Sequence, residues 1–221
     1  FSLEAACTGF LYGLECAAGM IRSGTFKRGL VIGAEKITMH VDWTDRNTCV
    51  LFGDGAGAAI LEQTSAEDNG YLACTLGADG NYAELLTVPA GGSAKPTTPE
   101  TLAQGENFIK MEGREVFKLA VNAMGNAANK ALDQAGVSSD AIRWLVPHQA
   151  NTRIIQAVGK KLGLPNERVF INVEKYGNTS AATIPIALDE INRTGQVDKG
   201  DLILAVAFGG GLTWGATLIR W

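Results

Sequence analysis

Hydrophobic residues recur at intervals of three and four positions near the start of the chain. They are Phe10, Leu11, Leu14, Ala17, Ala18 and Ile21. This spacing is typical of an amphipathic helix, and Gly24 is a suitable stop signal for it. A mainly apolar run at 29–34 then predicts a buried strand.

Strand and helix patterns continue to alternate in the second part of the chain. We predict strands at 70–76 and 142–146, and helices at 112–135 and 152–162. Residues 81–105 are rich in Gly, Pro, Thr and Ala, which predicts a long loop. Helices that alternate with strands in this way favour an α/β fold with a parallel or mixed sheet.

Two stretches of the chain resemble each other at a constant separation. Gly24 and Gly195 are 171 positions apart, as are Gly29 and Gly200, and each stretch joins a predicted helix end to a predicted strand. Each strand leads to a Phe-Gly-x-Gly turn and then to a further strand. Self-similarity over two such units predicts a duplicated architecture.

The repeat relates a cysteine to an asparagine. A separation of 171 residues carries Cys7 onto Asn178, so the two are predicted to open equivalent helices. A helix, a strand and another helix are predicted before Asn178, whereas only six residues precede Cys7. We therefore expect the chain to lack most of its first half, on the order of 100 residues for a half of ordinary domain size. Residues 1–66 are predicted to be the remnant of that half, which carries Cys7, and residues 67–221 the second half.

Composition narrows the classes of function. The 221 residues are 46% apolar and carry a net charge of −4, which provides no basic field for nucleic acid. No apolar run reaches the ~18 residues of a membrane span, and no secretory signal is visible. The four cysteines (Cys7, Cys16, Cys49 and Cys74) form no C-x-x-C pair, which argues against a zinc or disulfide framework. We therefore expect a cytoplasmic protein with no nucleic-acid or membrane partner.

Three polar residues are the main candidates for chemistry. Cys7 lies in the predicted first turn of a helix, where the macrodipole favours a thiolate, although an inert buried cysteine has the same local pattern. His148 follows a predicted strand, at the kind of strand end where α/β sheets bind ligands, although a core or capping histidine is the alternative. The Asn178 amide and a neutral imidazole can both donate hydrogen bonds to a developing oxyanion. The glycines at 209–211 would let a backbone N–H approach a second oxyanion closely.

The segments around these residues resemble one known family. Cys7 lies in A-A-C-x-G-F, His148 in V-P-H-Q-A-N and Asn178 in G-N-T-S-A-A-T-I-P, and F-G-G-G-L-T-W-G lies near the end of the chain. In this order the motifs resemble β-ketoacyl-acyl-carrier-protein synthase III, the initiating condensing enzyme of bacterial type II fatty-acid synthesis. The resemblance implies a thiolase fold, in which two duplicated halves form an α-β-α-β-α sandwich with mixed sheets. The first half would be truncated here.

The resemblance also implies a role for each candidate. Cys7 would attack the thioester of acetyl-CoA and carry the acyl group. His148 and Asn178 would donate hydrogen bonds to the thioester oxygen of malonyl-acyl-carrier protein as loss of CO2 creates an enolate. Backbone N–H groups of Cys7 and Gly210 would hold the oxyanion that forms when the enolate attacks the acyl group. The product would be acetoacetyl-acyl-carrier protein, and no metal or redox cofactor is implied.

Substrate contacts are expected from the same resemblance. The residues near the CoA entrance would be Arg46 and Arg153. The pantetheine channel would be lined by Phe117, Ala150, Asn151 and Phe208. A basic patch for the acidic carrier protein would comprise Lys118, Arg153, Lys160 and Lys161. For the two adjacent lysines a solvated helix face is an equal explanation. A homodimer is expected from the family.

Three other classes of protein compete with this interpretation. The order Cys, His, Asn also occurs in papain-like hydrolases, but their C-G-[SA]-C-[WY] segment is absent and they offer no reason for the repeat. A related thiolase-fold acyltransferase of polyketide or quinolone synthesis would use the same three residues. A non-catalytic interaction subunit would not need Cys7, His148 and Asn178 together.

Overall fold

The computed structural model describes residues 1–65 and 70–221. Its helices are α1 (Gly9–Arg22), α2 (Pro99–Ala103), α3 (Gly113–Ala135), α4 (Thr152–Lys161), α5 (Val173–Tyr176) and α6 (Thr183–Arg193). Its strands are β1 (Arg28–Lys36), β2 (Asp54–Glu62), β3 (Tyr71–Ala78), β4 (Leu86–Thr87), β5 (Lys110–Met111), β6 (Ile142–Pro147), β7 (Leu202–Gly209) and β8 (Thr213–Arg220). Within the described ranges, no helix is both long and apolar enough to cross a membrane.

The main sheet has the strand order β3-β8-β7-β6. β8 pairs antiparallel with both β3 and β7, whereas β6 pairs parallel with β7. Helices α3 and α4 pack on one face of this sheet, where Met124, Ile155 and Leu204 belong to one apolar cluster. The sheet is therefore mixed, as predicted.

A second sheet consists of β1 and β2, which pair antiparallel with Leu30 opposite Ile60. Helices α1 and α6 lie between the two sheets, because Phe10 and Ile184 share a buried cluster with Val31 of β1 and Ile203 of β7. The layers therefore run sheet, helices, sheet, helices, which corresponds to four successive layers of the predicted sandwich. The α/β class is confirmed.

The structural repeat holds at the ends of α1 and α6 but not at their starts. Both helices end on an arginine, Arg22 and Arg193, and both are followed two residues later by a left-handed glycine. However, α1 has 14 residues and α6 has 11, so their starts are 174 positions apart. The prediction that Cys7 and Asn178 open equivalent helices is therefore wrong by about one helical turn.

The other predicted elements agree with the structure with two exceptions. The strand predicted at 29–34 is present as β1, but the expectation that it is buried is wrong, because Leu30 and Ile32 are 61% and 59% exposed. The segment 81–105, predicted as a loop, contains the short helix α2. Thr98 caps this helix reciprocally with Thr101. A helix of five residues is too short to show a hydrophobic period, which is why the pattern predicts no helix there. The predicted boundary between residues 66 and 67 lies outside the described residues and stays a prediction.

Candidate active site

Cys7 lies in a 3-10 turn, Ala6–Thr8, that leads directly into α1. The preceding Ala6 has a φ of +46°, and Ser180 has a φ of +52°. These two are the only non-glycine residues with positive φ in the described part of the chain. Such backbone costs of order 1–3 kcal/mol and clusters at functional sites. The sequence predicts the position of Cys7 near a helix start, but not this strained entry.

The glycine turn after β7 packs directly against the cysteine. A Cβ atom on Gly209 would lie 2.7 Å from the Cys7 nitrogen, and one on Gly210 would lie 3.2 Å from the Leu86 oxygen. Thr213, at the start of β8, ties the turn to this region by donating a 3.0 Å hydrogen bond to the carbonyl oxygen of Ala5. No side chain fits at Gly209 without a shift of the backbone, and space at Gly210 is tight. The turn brings Gly210 and Cys7 to the wall of one cavity.

The thiol of Cys7 is not activated in the way that the sequence predicts. Its pKa is raised to about 11, mainly by burial; the Ser180 hydroxyl acts to lower this pKa and the Glu35 carboxylate acts to raise it, each by a smaller amount. Among the described residues, no Lys or Arg contributes to the shift in the pKa of this thiol. The expectation that the macrodipole stabilises a thiolate is therefore wrong for the resting protein, because desolvation opposes the charge more strongly.

His148 continues the end of β6 into the interior of the protein. Its backbone N–H donates to the carbonyl oxygen of Val206 at 2.7 Å, and the residue is only 2% exposed. Ring atom Nδ1 lies 2.7 Å from Oγ1 of Thr183, the first residue of α6. Burial lowers the pKa of the imidazole to about 4, so the ring is neutral near pH 7.

Asn178 is buried beside the segment that leads into β2. Its backbone N–H donates to Leu51 at 2.8 Å, and its carbonyl oxygen accepts from Gly53 at 3.0 Å. Its side-chain oxygen Oδ1 accepts a hydrogen bond from the Ser180 backbone N–H at 2.9 Å. This assigns the orientation of the amide and leaves Nδ2, with its two hydrogens, as the end that can donate to a substrate oxygen.

Ser180 connects the three candidate residues. Its N–H holds Asn178, and its carbonyl oxygen accepts a 2.9 Å hydrogen bond from the Thr183 hydroxyl that also contacts His148. Its own hydroxyl acts to lower the pKa of the Cys7 thiol. The structure therefore brings together the three residues that the sequence singles out, around one strained serine.

The cavity in front of Cys7 has a volume of about 980 Å³. Its wall includes Cys7, Glu35, Ser180 and Gly210, together with residues of α1 and β1. His148 and Asn178 are not part of this wall.

The buried, neutral His148 makes the stability of the protein depend on pH. Between pH 6.5 and pH 4 the unfolded chain binds a proton at this histidine that the folded protein does not bind. We expect the free energy of unfolding to fall by up to about 3 kcal/mol across this window as the pH is lowered. Urea unfolding at a series of pH values measures the slope. His148→Gln should remove this component, and His40→Gln should leave it; equal slopes in wild type and His148→Gln would contradict the assignment.

The residues predicted to bind substrate occupy varied environments. Arg46 and Arg153 are exposed, and Phe208 is 5% exposed inside the main core. Phe117 on α3 and Ala150 after β6 are half-buried against the same core. Asn151 caps α4, because its Oδ1 accepts from the Ile154 N–H at 2.9 Å. That bond gives Asn151 a structural role whether or not it also contacts substrate.

The four cations predicted to bind the carrier protein are all exposed on α3 and α4. Lys161 donates to Asn122 of α3 at 3.0 Å, which places the two helices side by side. Lys118, one turn before Asn122, is paired with Glu115 at 2.8 Å, which partly offsets its charge. The patch of Lys118, Arg153, Lys160 and Lys161 therefore stays a prediction, supported by the adjacency of the two helices.

Sequence reasoning missed three residues of this site. Ser180 and Thr183 lie inside the G-N-T-S-A-A-T segment around Asn178, but nothing in that pattern indicates what their hydroxyls contact. Glu35 is a carboxylate at the end of a strand, which is a weak signal. Among the described residues, no group of three or more His, Cys, Asp or Glu side chains is arranged to hold a metal ion.

Comparisons with known proteins identify relatives of the chain. The model of 3-oxoacyl-[acyl-carrier-protein (ACP)] synthase III matches residues 1–80, and the model of its C-terminal part matches residues 132–221. A β-ketoacyl-[acyl-carrier-protein] synthase III of Desulfitobacterium hafniense is 52% identical over all 221 residues, which span 66% of that relative. The whole chain superposes on 67% of the Aquifex aeolicus 3-oxoacyl-[acyl-carrier-protein] synthase III with a TM-score of 0.89 and 48% identity. It superposes on 65% of the priming β-ketosynthase of the R1128 polyketide pathway with a TM-score of 0.87 and 34% identity.

The chain thus spans about two thirds of the length of these relatives.

Proposed function

The chain belongs to the β-ketoacyl-acyl-carrier-protein synthase III family and has its thiolase-like fold, and we propose that it is a condensing acyltransferase. In the proposed reaction an acetyl group, or another short acyl group, passes from CoA to the enzyme. It is then joined to malonyl-acyl-carrier protein with loss of CO2. The product is a β-ketoacyl-acyl-carrier protein, the first condensation product of type II fatty-acid synthesis.

Cys7 is the proposed nucleophile. Its sulfur attacks the thioester carbonyl, and the CoA thiol leaves with a proton, so that a thioester to the enzyme replaces a thioester to CoA. The backbone N–H groups of Cys7 and Gly210 are proposed to hold the oxyanion of this step and of the later condensation. Support comes from the packing of the glycine turn against the Cys7 backbone.

His148 and Asn178 are proposed to act on the malonyl group. When the carboxylate leaves as CO2, its electron pair forms an enolate, whose oxygen accepts hydrogen bonds from Asn178 Nδ2 and from Nε2–H of the neutral imidazole. This tautomer requires the Thr183 hydroxyl to donate to Nδ1 of His148 instead of to the Ser180 carbonyl oxygen. The enolate carbon then attacks the acyl group on Cys7, and the sulfur leaves. The observation that carries this proposal is the hydrogen-bonded connection through Ser180, which positions both donors relative to Cys7. The chemistry requires no metal or redox cofactor, since loss of CO2 drives it.

A homodimer and the carrier-protein patch on α3 and α4 are proposed along with the activity. The cytoplasm is the proposed location. The free state of Cys7, Cys16, Cys49 and Cys74 supports a reducing compartment.

Incubation of the 221-residue chain with labelled acetyl-CoA tests the proposed function. We expect one acetyl group on the peptide that contains Cys7, and its release as β-ketoacyl product only when malonyl-acyl-carrier protein is added. Because the chain is also similar to a polyketide priming synthase, an acyltransferase that primes polyketide synthesis is the second candidate function. A product that forms with other primers but not with acetyl-CoA would favour that alternative, and no adduct with any acyl-CoA would contradict both.

A further inference from the structure

The ring of His148 makes one hydrogen bond in the described part of the chain. Its partner is the Thr183 hydroxyl, whose oxygen lies 2.7 Å from Nδ1. Both residues are 2% exposed, so bulk water does not compete for this bond. A neutral imidazole carries one ring proton, on Nδ1 or on Nε2, and the bond that one nitrogen makes decides where the proton lies. The direction of the bond between His148 and Thr183 therefore decides whether Nε2 can donate to a substrate.

The Thr183 hydroxyl has one proton and two acceptors within reach. The second acceptor is the Ser180 carbonyl oxygen at 2.9 Å, three residues earlier in the chain, a common partner for a threonine in a helix. That oxygen also accepts a hydrogen bond from the Thr183 backbone N–H. It therefore keeps a donor when the hydroxyl turns toward His148, whereas Nδ1 has no other donor among the described residues. A buried acceptor without a donor is costly, so the hydroxyl proton stabilises the protein more at Nδ1 than at Ser180.

The same segment of the chain orients the second proposed donor by the same means. The Ser180 backbone N–H donates to Oδ1 of Asn178 at 2.9 Å, and this leaves the amide Nδ2 free to donate. In both side chains a donor from residues 178–183 occupies the accepting atom, so the N–H group remains for a substrate oxygen. The Nε2 atom of His148 makes no hydrogen bond within residues 1–65 and 70–221, as this arrangement requires.

We propose that Thr183 is a positioning residue that makes His148 a hydrogen-bond donor: its hydroxyl donates to Nδ1 and holds the ring proton on Nε2. The inference rests on the proposed function, because its consequence is faster decarboxylation of the malonyl group. A ring with its proton on Nδ1 would instead present a lone pair to the enolate oxygen and repel it. Thr183 thus acts through His148 and does not itself touch the substrate.

Thr183→Val removes the hydroxyl and keeps the branched shape and the backbone N–H of this residue. Malonyl decarboxylation should fall by about 10-fold, the size of one lost hydrogen bond, while acetylation of Cys7 stays at the wild-type rate. Thr183→Ser keeps the hydroxyl and should restore decarboxylation. The matched control is Thr194→Val at the other end of α6, where the hydroxyl donates to the Glu190 carbonyl oxygen at 2.7 Å. This control should change neither rate.

Nitrogen-15 NMR of the histidine rings reads the tautomer directly. The chain has two histidines, so His40→Gln assigns the signals. At pH 7 the His148 ring is neutral, because burial lowers its pKa to about 4. We expect the proton on Nε2 in wild type and in Thr183→Ser, and a mixture of both tautomers in Thr183→Val. A proton on Nδ1 in wild type, an unchanged tautomer in Thr183→Val, or wild-type decarboxylation by that variant would overturn the inference.

The NMR spectrum is measured without substrate, so it separates this inference from the proposed function. The wild-type spectrum decides the direction of the hydrogen bond even if Thr183→Val does not fold. A wild-type protein with the proton on Nε2 but with neither acetylation nor decarboxylation would refute the condensing activity and leave the tautomer intact. A protein that decarboxylates equally well with threonine or valine at position 183 would refute the role of Thr183 and leave the condensing activity intact.

Discussion

Cys7→Ala is expected to abolish covalent acylation and to lower condensation by at least about 10⁴-fold, because no other group can form the thioester intermediate. Decarboxylation of malonyl-acyl-carrier protein should survive in this variant, since Asn178 and His148 keep their hydrogen bonds to Ser180 and Thr183. Peptide mass spectrometry after incubation with acetyl-CoA measures the adduct, and release of labelled CO2 measures decarboxylation.

Cys16→Ala is the matched control for this experiment. Cys16 lies on α1, is exposed and lines the same cavity as Cys7. It should acylate and condense like wild type. An acetyl adduct on the chain after Cys7→Ala, or its loss after Cys16→Ala, would show that the nucleophile has been misassigned.

Asn178→Asp is expected to lower malonyl decarboxylation by about 10³-fold while Cys7 is still acylated. Aspartate has nearly the shape of asparagine, and one carboxylate oxygen can still accept the Ser180 N–H. The other oxygen replaces the Nδ2 donor with an acceptor that repels the enolate, so the loss should equal or exceed that of deleting one oxyanion donor. Labelled CO2 release and Cys7 acetylation, measured side by side, give the two rates.

A buried carboxylate can destabilise the fold, so the melting temperature of Asn178→Asp must be measured with the two rates. Asn166→Asp makes the same chemical change at an exposed position and should leave both rates unchanged. Equal losses of acetylation and decarboxylation in a folded Asn178→Asp protein would contradict the division of roles between Cys7 and Asn178.

Much of the fold was predictable because its elements are long and strongly patterned. Helix α3 and strands β6 and β7 bury continuous or periodic apolar residues, so their positions follow from local sequence. The repeat of 171 residues correctly relates the ends of α1 and α6. The same separation does not relate the starts of the two helices, because α6 is about one turn shorter than α1. A separation measured at one end of a helix does not reveal a difference in helix length.

The site was predictable in its residue types but not in its electrostatics. Cys7, His148 and Asn178 were found from motifs, their order and the repeat. The raised pKa of the thiol was not, because desolvation depends on what covers Cys7 in three dimensions rather than on its place in a helix. The backbone strain at Ala6 and Ser180 could not be predicted either, since alanine and serine rarely adopt a left-handed backbone and nothing in their local sequence indicates it.

The sequence by itself determined the α/β class, the positions of most helices and strands, and the three residues that carry the proposed chemistry. These depend on local periodicity and on motifs whose residues are neighbours in the chain. The tertiary structure alone decided that Ser180 joins those residues, that Thr183 holds His148, and that Glu35 lies beside the nucleophile. Residues as far apart in the chain as Cys7 and Ser180 meet only because α1 and α6 are packed between the same two sheets, and no local pattern encodes that contact.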